Sequence, residues 1–99
     1  MLDKLKSTDF AKYLNQTFRV CLDGIDPIEL ELVSVTETGE AREPGARKPF
    51  SIQFLGPHSS QYLIQHIYHL EHEEMDALDL FIVPLGPKEG RMCYEAIVN

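Results

Sequence analysis

Short segments of alternating apolar and polar residues, separated by turn residues, run through this 99-residue chain from residue 16 to its end. In residues 16–22, for example, Phe18, Val20 and Leu22 fall on one face of an extended chain, because successive side chains of a strand point to opposite faces. The predicted strands are residues 16–22, 28–37, 47–56, 66–71, 77–86 and 91–99. Strands joined by short turns in this way favour an antiparallel sheet that curls into a small barrel.

One short helix precedes the strands, over about residues 8–15. Ser7 or Thr8 can cap its start, and Asn15 is a suitable stop. The apolar side chains of this segment have the spacing of a buried helix face: Phe10, Tyr13 and Leu14. The predicted fold class is therefore mainly β (α+β). It is a single domain over residues 1–99, with about six mostly antiparallel strands in a small barrel or curled sheet. The one N-terminal helix is expected to plug an open end or cover one face.

Two of the predicted strands carry irregularities. Within residues 28–37 the apolar side chains change phase, which predicts a bulge near Leu32–Val33. Pro84 cannot donate a hydrogen bond to a neighbouring strand, so it belongs at an edge or a bulge. Residues 77–86 are almost continuously apolar, which is typical of a strand covered on both faces or packed in an interface.

Three histidines lie three residues apart in the sequence, at His66, His69 and His72. The pattern leaves residues 59–66 open between helix and strand. A helix continuing from there would place His66, His69 and Glu73 on one face, where their donor atoms could converge on a metal ion. A strand over residues 66–71, which we favour, turns His69 away from the other two histidines. We therefore predict no metal and no other cofactor, and the three histidines are metal candidates only in the helical alternative.

The charge of the chain bears on its partners. Its formal net charge is −7, and its densest basic spot, Arg42, Arg47 and Lys48, is interleaved with Glu40 and Glu43. Proteins that bind nucleic acid generally carry a basic patch that neutralises phosphates. We therefore expect neither nucleic acid nor an anionic membrane as a partner, and a cationic protein surface suits the charge better.

The compartment is predicted from what the chain does not contain. The first ten residues hold no apolar leader, and no run of about 18 apolar residues is present to span a membrane. Cys21 and Cys93 lie in apolar stretches and are expected to be buried free thiols. The chain is predicted to be cytoplasmic, unless it is exported as part of an assembly.

Known catalytic patterns are absent from the sequence. There is no Gly-x-Ser-x-Gly elbow and no phosphate-binding glycine loop. The alternative is an enzyme, metal-dependent or acting on a small ligand, in which Glu71 and His72, with His69 as a further member, do acid–base work. The acidic residues from Glu71 onwards are expected to form a solvated turn that could serve as a docking surface. Arg47 is expected to pair with that turn.

Four motifs, in order, resemble a family of small bacterial proteins catalogued as a domain of unknown function. They are Arg47-x-Pro49-Phe50-Ser51, Tyr68-x-Leu70-Glu71-His72, Leu80-Phe81-x-Val83-Pro84 and Tyr94-Glu95-Ala96-x-x-Asn99. The similarity covers about residues 10–99, although the family usually has a glycine near the position of Asp76. The resemblance implies that residues 68–72 belong to the sheet and singles out Glu71 and His72 among the polar residues. It also implies that members sometimes accompany genes for phage-tail-like fibre proteins.

The sequence thus leads to three hypotheses. The first is a non-enzymatic protein-binding or assembly module, whose partner is another copy or a fibre-like protein. Its candidate partner-binding residues are Glu71, His72, Glu74, Phe81 and Pro84. The second is the enzyme described above. The third is a structural homodimer whose open sheet edges pair into a larger sheet.

Overall fold

The computed structural model describes residues 5–59 and 62–99. Its elements are helix α1 (Ser7–Ala11) and strands β1 (Thr17–Cys21), β2 (Ile28–Glu37), β3 (Phe50–His58), β4 (His66–Glu71), β5 (Leu78–Lys88) and β6 (Arg91–Val98). The strands form a closed barrel in the order β1-β2-β3-β6-β5-β4, and all of its neighbouring pairs are antiparallel. The predicted mainly β fold, with one short helix near the N-terminus, is confirmed.

Barrel closure removes the open sheet edges that the third hypothesis requires. Each of the six strands pairs with a neighbour on both sides, and β1 meets β4 through Arg19↔Glu71 and Val20↔Leu70. A strand that already has two partners offers no row of free backbone groups to a second chain. The closed strand order gives no support to the hypothesis that two copies join by pairing open edges, and that hypothesis stays a prediction.

Both predicted irregularities occur as bulges. The register between β2 and β3 shifts between Leu32 and Ser34, where the apolar side chains change phase. The register between β5 and β6 shifts between Pro84 and Gly86. Because proline has no N–H to donate, a bulge lets it lie within a strand without the loss of a regular ladder bond.

The barrel interior is filled by side chains from alternate positions of the strands. Phe18 of β1 meets Phe54 of β3 edge to face, with ring centroids 5.6 Å apart. The other strand residues with less than 2% exposure and large side chains are Val20, Leu30, Leu32, Phe50, Ile52, Leu70, Ile82 and Tyr94. A small barrel of this kind is a packed core rather than a container for a ligand.

Helix α1 covers one end of the barrel, as expected. It is shorter than predicted and begins after Lys6 rather than after Ser7 or Thr8. The Asp9 carboxylate accepts the Lys6 backbone N–H at 2.8 Å. Phe10 is fully buried, 5.7 Å from the ring of Phe50. In the part of the chain that the structure describes, no helix is long and apolar enough to cross a membrane.

A loop residue fills the other end. Leu63 is buried, and its backbone N–H donates a hydrogen bond to the hydroxyl of Tyr94 at 2.8 Å. Residues 62–65 form neither helix nor strand, and β4 begins at His66. Of the segment left open between helix and strand, residues 60 and 61 lie outside the described residues.

The Arg47 side chain links the segment before α1 to the segment after β6. Its guanidinium donates to the backbone carbonyls of Leu5, at 2.6 Å, and Asn99, at 3.1 and 2.5 Å. The expected pairing of Arg47 with the turn after Glu71 is therefore wrong. Strand β3 starts at Phe50 instead of residue 47.

Candidate protein-binding face

Three large apolar side chains point outward from neighbouring strands β4, β5 and β6. Ile67 of β4 lies directly opposite Phe81 of β5. Ile97 of β6 is also outward, between the buried Ala96 and Val98. The exposed fractions are 61% for Ile67, 49% for Phe81 and 59% for Ile97. We call these three residues the outer apolar patch.

The patch lies where the ladder between β5 and β6 ends. The last paired residues there are Val83 and Glu95, and both side chains point outward. Phe81 and Ile97 are the next outward positions on their two strands. Phe81 pairs with Ile67 across the β4–β5 ladder, whereas Ile97 pairs with Ser51 of β3 on its other side.

Carboxylates flank the patch on both sides along the strands. On one side, the Asp79 carboxylate accepts a hydrogen bond from Nδ1 of His69 at 2.9 Å, directly across the β4–β5 ladder. On the other side, Glu95 accepts a hydrogen bond from the hydroxyl of Ser51 at 2.8 Å. The outward residues of β5 in this region are Asp79, Phe81 and Val83, and their partners on β4 and β6 are His69, Ile67 and Glu95. None of these residues is a lysine or an arginine.

Most exposed large apolar side chains of the described structure belong to the second half of the sequence. Large hydrophobic residues that are exposed in residues 5–59 are Leu14 and Ile25 only. Those exposed in residues 62–99 are Tyr62, Ile64, Ile67, Phe81, Leu85 and Ile97. Single exposed hydrophobic residues are normal, but a cluster of them marks an interaction surface.

His72, by contrast, is an internal part of the fold. It is 8% exposed, and its Nδ1 accepts the backbone N–H groups of Glu74 and Met75 at 3.0 and 3.3 Å. With Nδ1 as acceptor, the neutral ring carries its proton on Nε2, which donates to the side-chain oxygen of Gln16 at 2.8 Å. Both ring nitrogens are therefore engaged in holding the turn after β4.

Aromatic contacts fix the same ring. Its centroid lies 4.6 Å from that of Tyr13 and 4.7 Å from that of Phe18. The neighbouring Glu71 is exposed on the outside of β4. Because Glu71 and His72 lie on opposite sides of the strand end, the two side chains do not form an acid–base pair with each other.

The three histidines follow the alternation expected of a strand. His69 lies on the outward face, next to Asp79, while His72 lies inside. His66 is exposed and its ring lies 5.4 Å from that of Tyr68. Among residues 5–59 and 62–99 no group of three His, Cys, Asp or Glu side chains could hold a metal ion.

Glu71 has a different neighbour, the thiol of Cys21 on β1. Cys21 is half-buried, and its pKa is raised, first by burial and then by the hydrogen bond to Glu71 and the charge of that carboxylate. The nearby charge of Arg19 opposes this shift. A thiol with a raised pKa is mostly protonated near neutral pH, so Cys21 is poorly suited to act as a nucleophile.

We expect Glu71→Gln to lower the pKa of Cys21, because the variant removes a negative charge that disfavours the thiolate. Iodoacetamide should then alkylate Cys21 at a lower pH than in the wild type, as measured by peptide mass spectrometry across a pH series. Cys93, whose pKa is also raised by burial, is the internal control and should not shift. An unchanged Cys21 profile would show that Glu71 does not act on the thiol.

A small cavity lies between α1 and the residues before β5. Its volume is about 170 Å³, and it is lined by Leu5, Asp9, Lys12, Tyr13, Met75, Asp76, Ala77 and Leu78. A larger cleft of about 530 Å³ is lined by Arg42, Glu43, Gly45, Ala46, Arg47, Pro49 and Asn99.

The five residues predicted to bind a partner are spread along the β4–β5 hairpin. Phe81 is exposed in the middle of the hairpin and belongs to the outer apolar patch. Glu71 and Glu74 are exposed at one end, where His72 is buried between them. Pro84 is half-buried at the β5 bulge.

Sequence reasoning missed the other two members of the patch, Ile67 and Ile97. The available signal was their phase, because each lies between residues that belong to the buried face of its strand. Ile67 precedes the buried Tyr68, and Ile97 precedes the buried Val98. An isoleucine in the outward phase of a strand is apolar where alternation predicts a polar residue.

Comparison with known proteins agrees with the motif resemblance. No curated protein and no solved structure shows significant similarity to this chain. A family model described as "Domain of unknown function (DUF6916)" matches residues 5–98, which span the whole barrel and helix α1. The chain therefore belongs to the DUF6916 family.

Proposed function

We propose that this chain is a non-enzymatic protein-binding or assembly module that docks through the outer apolar patch. The observation that carries the proposal is the exposed cross-strand pair of Ile67 and Phe81, with Ile97 also exposed on the neighbouring strand β6, on the outer wall of a barrel whose interior is already filled. Adjacent apolar side chains that a fold leaves in water gain free energy when a partner covers them, by roughly 25 cal/mol for each Å² buried.

The barrel architecture supports a side-chain interface rather than strand addition. A partner that extends a sheet needs an edge strand with free backbone groups. All six strands of this barrel have neighbours on both sides. Recognition through the outward side chains of β4, β5 and β6 is the mode that this closed sheet favours.

The enzyme alternative gains no support from the site. Its two principal residues are separated, with Glu71 in solvent and both nitrogens of His72 hydrogen-bonded within the fold. Proton transfer by His72 would require it to give up bonds that hold the turn. We therefore keep the binding function as the proposal, and a component of a phage-tail-like fibre system is the partner class that the family resemblance suggests.

Affinity purification from native lysate tests the proposal when three baits are compared. The baits are the wild type, Phe81→Ser combined with Ile97→Ser, and Ile25→Ser as a control. Ile25 is 63% exposed in the turn between β1 and β2, so its variant removes a similar apolar side chain elsewhere. We expect a near-stoichiometric partner with the wild type and the control, and its loss with the double variant.

Thermal unfolding should show the same midpoint, within about 2 °C, for all three baits, because none of the changed residues is in the core. Recovery of the same partner by the double variant would contradict docking at the outer apolar patch. Recovery of no partner by the wild type would contradict the binding function itself.

A further inference from the structure

We infer that the outer apolar patch receives a cationic protein surface, with apolar side chains flanked by lysine or arginine, and not a second copy of this chain. The inference rests on the proposed function and adds the chemistry of the partner. It follows from the charges that border the patch and from the net charge of the molecule.

The border of the patch is acidic in both directions along the strands. Asp79 precedes Phe81 by two residues on β5, and Glu95 precedes Ile97 by two residues on β6. Successive outward residues of a strand are about 7 Å apart. A partner side chain that covers Phe81 therefore brings its own neighbours within reach of the Asp79 carboxylate, and one that covers Ile97 brings them within reach of Glu95.

A cationic partner satisfies those carboxylates, whereas an apolar or acidic partner leaves them unpaired at the rim of the interface. The hydrogen-bond partners of Asp79 and Glu95 within the chain are His69 and Ser51, neither of which carries a fixed positive charge. The net charge of −7 has the same sign as the border, so it attracts a cationic partner from a distance and speeds association.

A second copy fits this surface poorly. In a two-fold dimer the same patch is used by both copies, so the acidic border of one faces the acidic border of the other. No lysine or arginine of this chain lies among the outward residues around the patch to relieve that repulsion. Like charges placed opposite one another disfavour the association of two copies.

The test uses two fluorescent helical peptides as probes. Both carry one leucine stripe, which is flanked by lysines in the first peptide and by glutamates in the second. Binding is measured by fluorescence anisotropy in low salt. We expect the wild type to bind the lysine peptide and not the glutamate peptide. The variant Asp79→Asn with Glu95→Gln should weaken lysine-peptide binding by at least about fivefold and reduce its dependence on salt.

A control variant distinguishes the effect of the carboxylates beside the patch from the general attraction of a cationic peptide to an acidic protein. Asp26→Asn with Glu29→Gln changes the net charge by the same amount, but both residues lie at the start of β2 or just before it, and β2 is opposite β5 in the six-stranded barrel. We expect this variant to weaken binding by less than about twofold. Equal loss in the two variants, or absence of lysine-peptide binding by the wild type, would overturn the inference.

The variant Phe81→Ser distinguishes failure of the inference from failure of the proposed function. Loss of lysine-peptide binding in this variant supports both. Unchanged lysine-peptide binding would overturn both. Equal binding of the two peptides by the wild type, lost in Phe81→Ser, would retain the docking surface but overturn the cationic partner. Sedimentation that shows a wild-type dimer, again lost in Phe81→Ser, would identify the occupant as a second copy and overturn the inference alone.

Discussion

Phe10→Ala should lower the free energy of unfolding by about 3–5 kcal/mol, as is typical when a fully buried phenylalanine is truncated in a core. Phe10 is the residue by which α1 seals its end of the barrel, in contact with Phe50. Small domains are stable by only about 5–15 kcal/mol, so this loss is a large part of the total. Urea unfolding followed by circular dichroism measures it.

The control for this change is Leu14→Ala. Leu14 is close to Phe10 in the sequence but is 39% exposed, so we expect its truncation to cost less than about 1 kcal/mol. The comparison shows whether the loss of stability is specific to the buried side chain of Phe10 or follows any truncation in the N-terminal segment. Equal costs for the two variants would show that α1 does not seal the barrel.

His72→Ala should lower the free energy of unfolding by about 3 kcal/mol, since it removes three hydrogen bonds and two aromatic contacts at a mostly buried site. His72→Asn should recover about half of that loss. An asparagine side-chain oxygen can replace Nδ1 as the acceptor for the N–H groups of Glu74 and Met75, but it has no ring to pack against Tyr13.

Glu73→Gln is the matched control in the same turn, because Glu73 is exposed and we expect a change within about 0.5 kcal/mol. Urea unfolding of the four proteins, including the wild type, provides the comparison. If His72→Ala unfolds like the wild type, His72 is not a structural residue and its nitrogens become available for other chemistry.

Stability and binding should therefore respond to different residues of the same hairpin. His72 lies inside and supports the fold, whereas Phe81 lies outside and is proposed to contact the partner. A loss of partner binding on changing Phe81 can be interpreted without a correction for unfolding. This separation makes the outer apolar patch accessible to mutational analysis.

Much of the strand pattern could be predicted because alternation of side chains is a local property. Strand β4 was predicted with the bounds that the structure shows, residues 66–71, and the bulge in β2 was predicted from a change of phase. Pro84 was predicted to lie at an edge or a bulge and lies at a register shift, whereas the shift between Leu55 and His58 was not predicted. The helix was predicted less well. Its apolar spacing extends to Leu14, but the chain turns at Asn15, which has a positive φ of 68° and donates its N–H to the carbonyl of Leu32.

The candidate site was harder to predict because its parts are distant in the chain. Glu71 and His72 stood out as polar residues in a motif, yet polarity alone does not reveal whether a side chain supports the fold or faces a partner. The hydrogen bond between His72 and Gln16 joins residues 56 positions apart. Such a contact depends on which strands become neighbours, and alternation within one strand carries no information about that.

The sequence by itself determined the periodicity of the strands and the bulge near Leu32–Val33 in β2, because both follow from the two-residue repeat of an extended chain. The tertiary structure alone decided that the sheet closes by pairing β1 with β4 and that Ile67 and Phe81 lie side by side on its outer wall. Strand order and register are set by long-range packing, and one exposed isoleucine in a sequence has no significance until its neighbours on other strands are known.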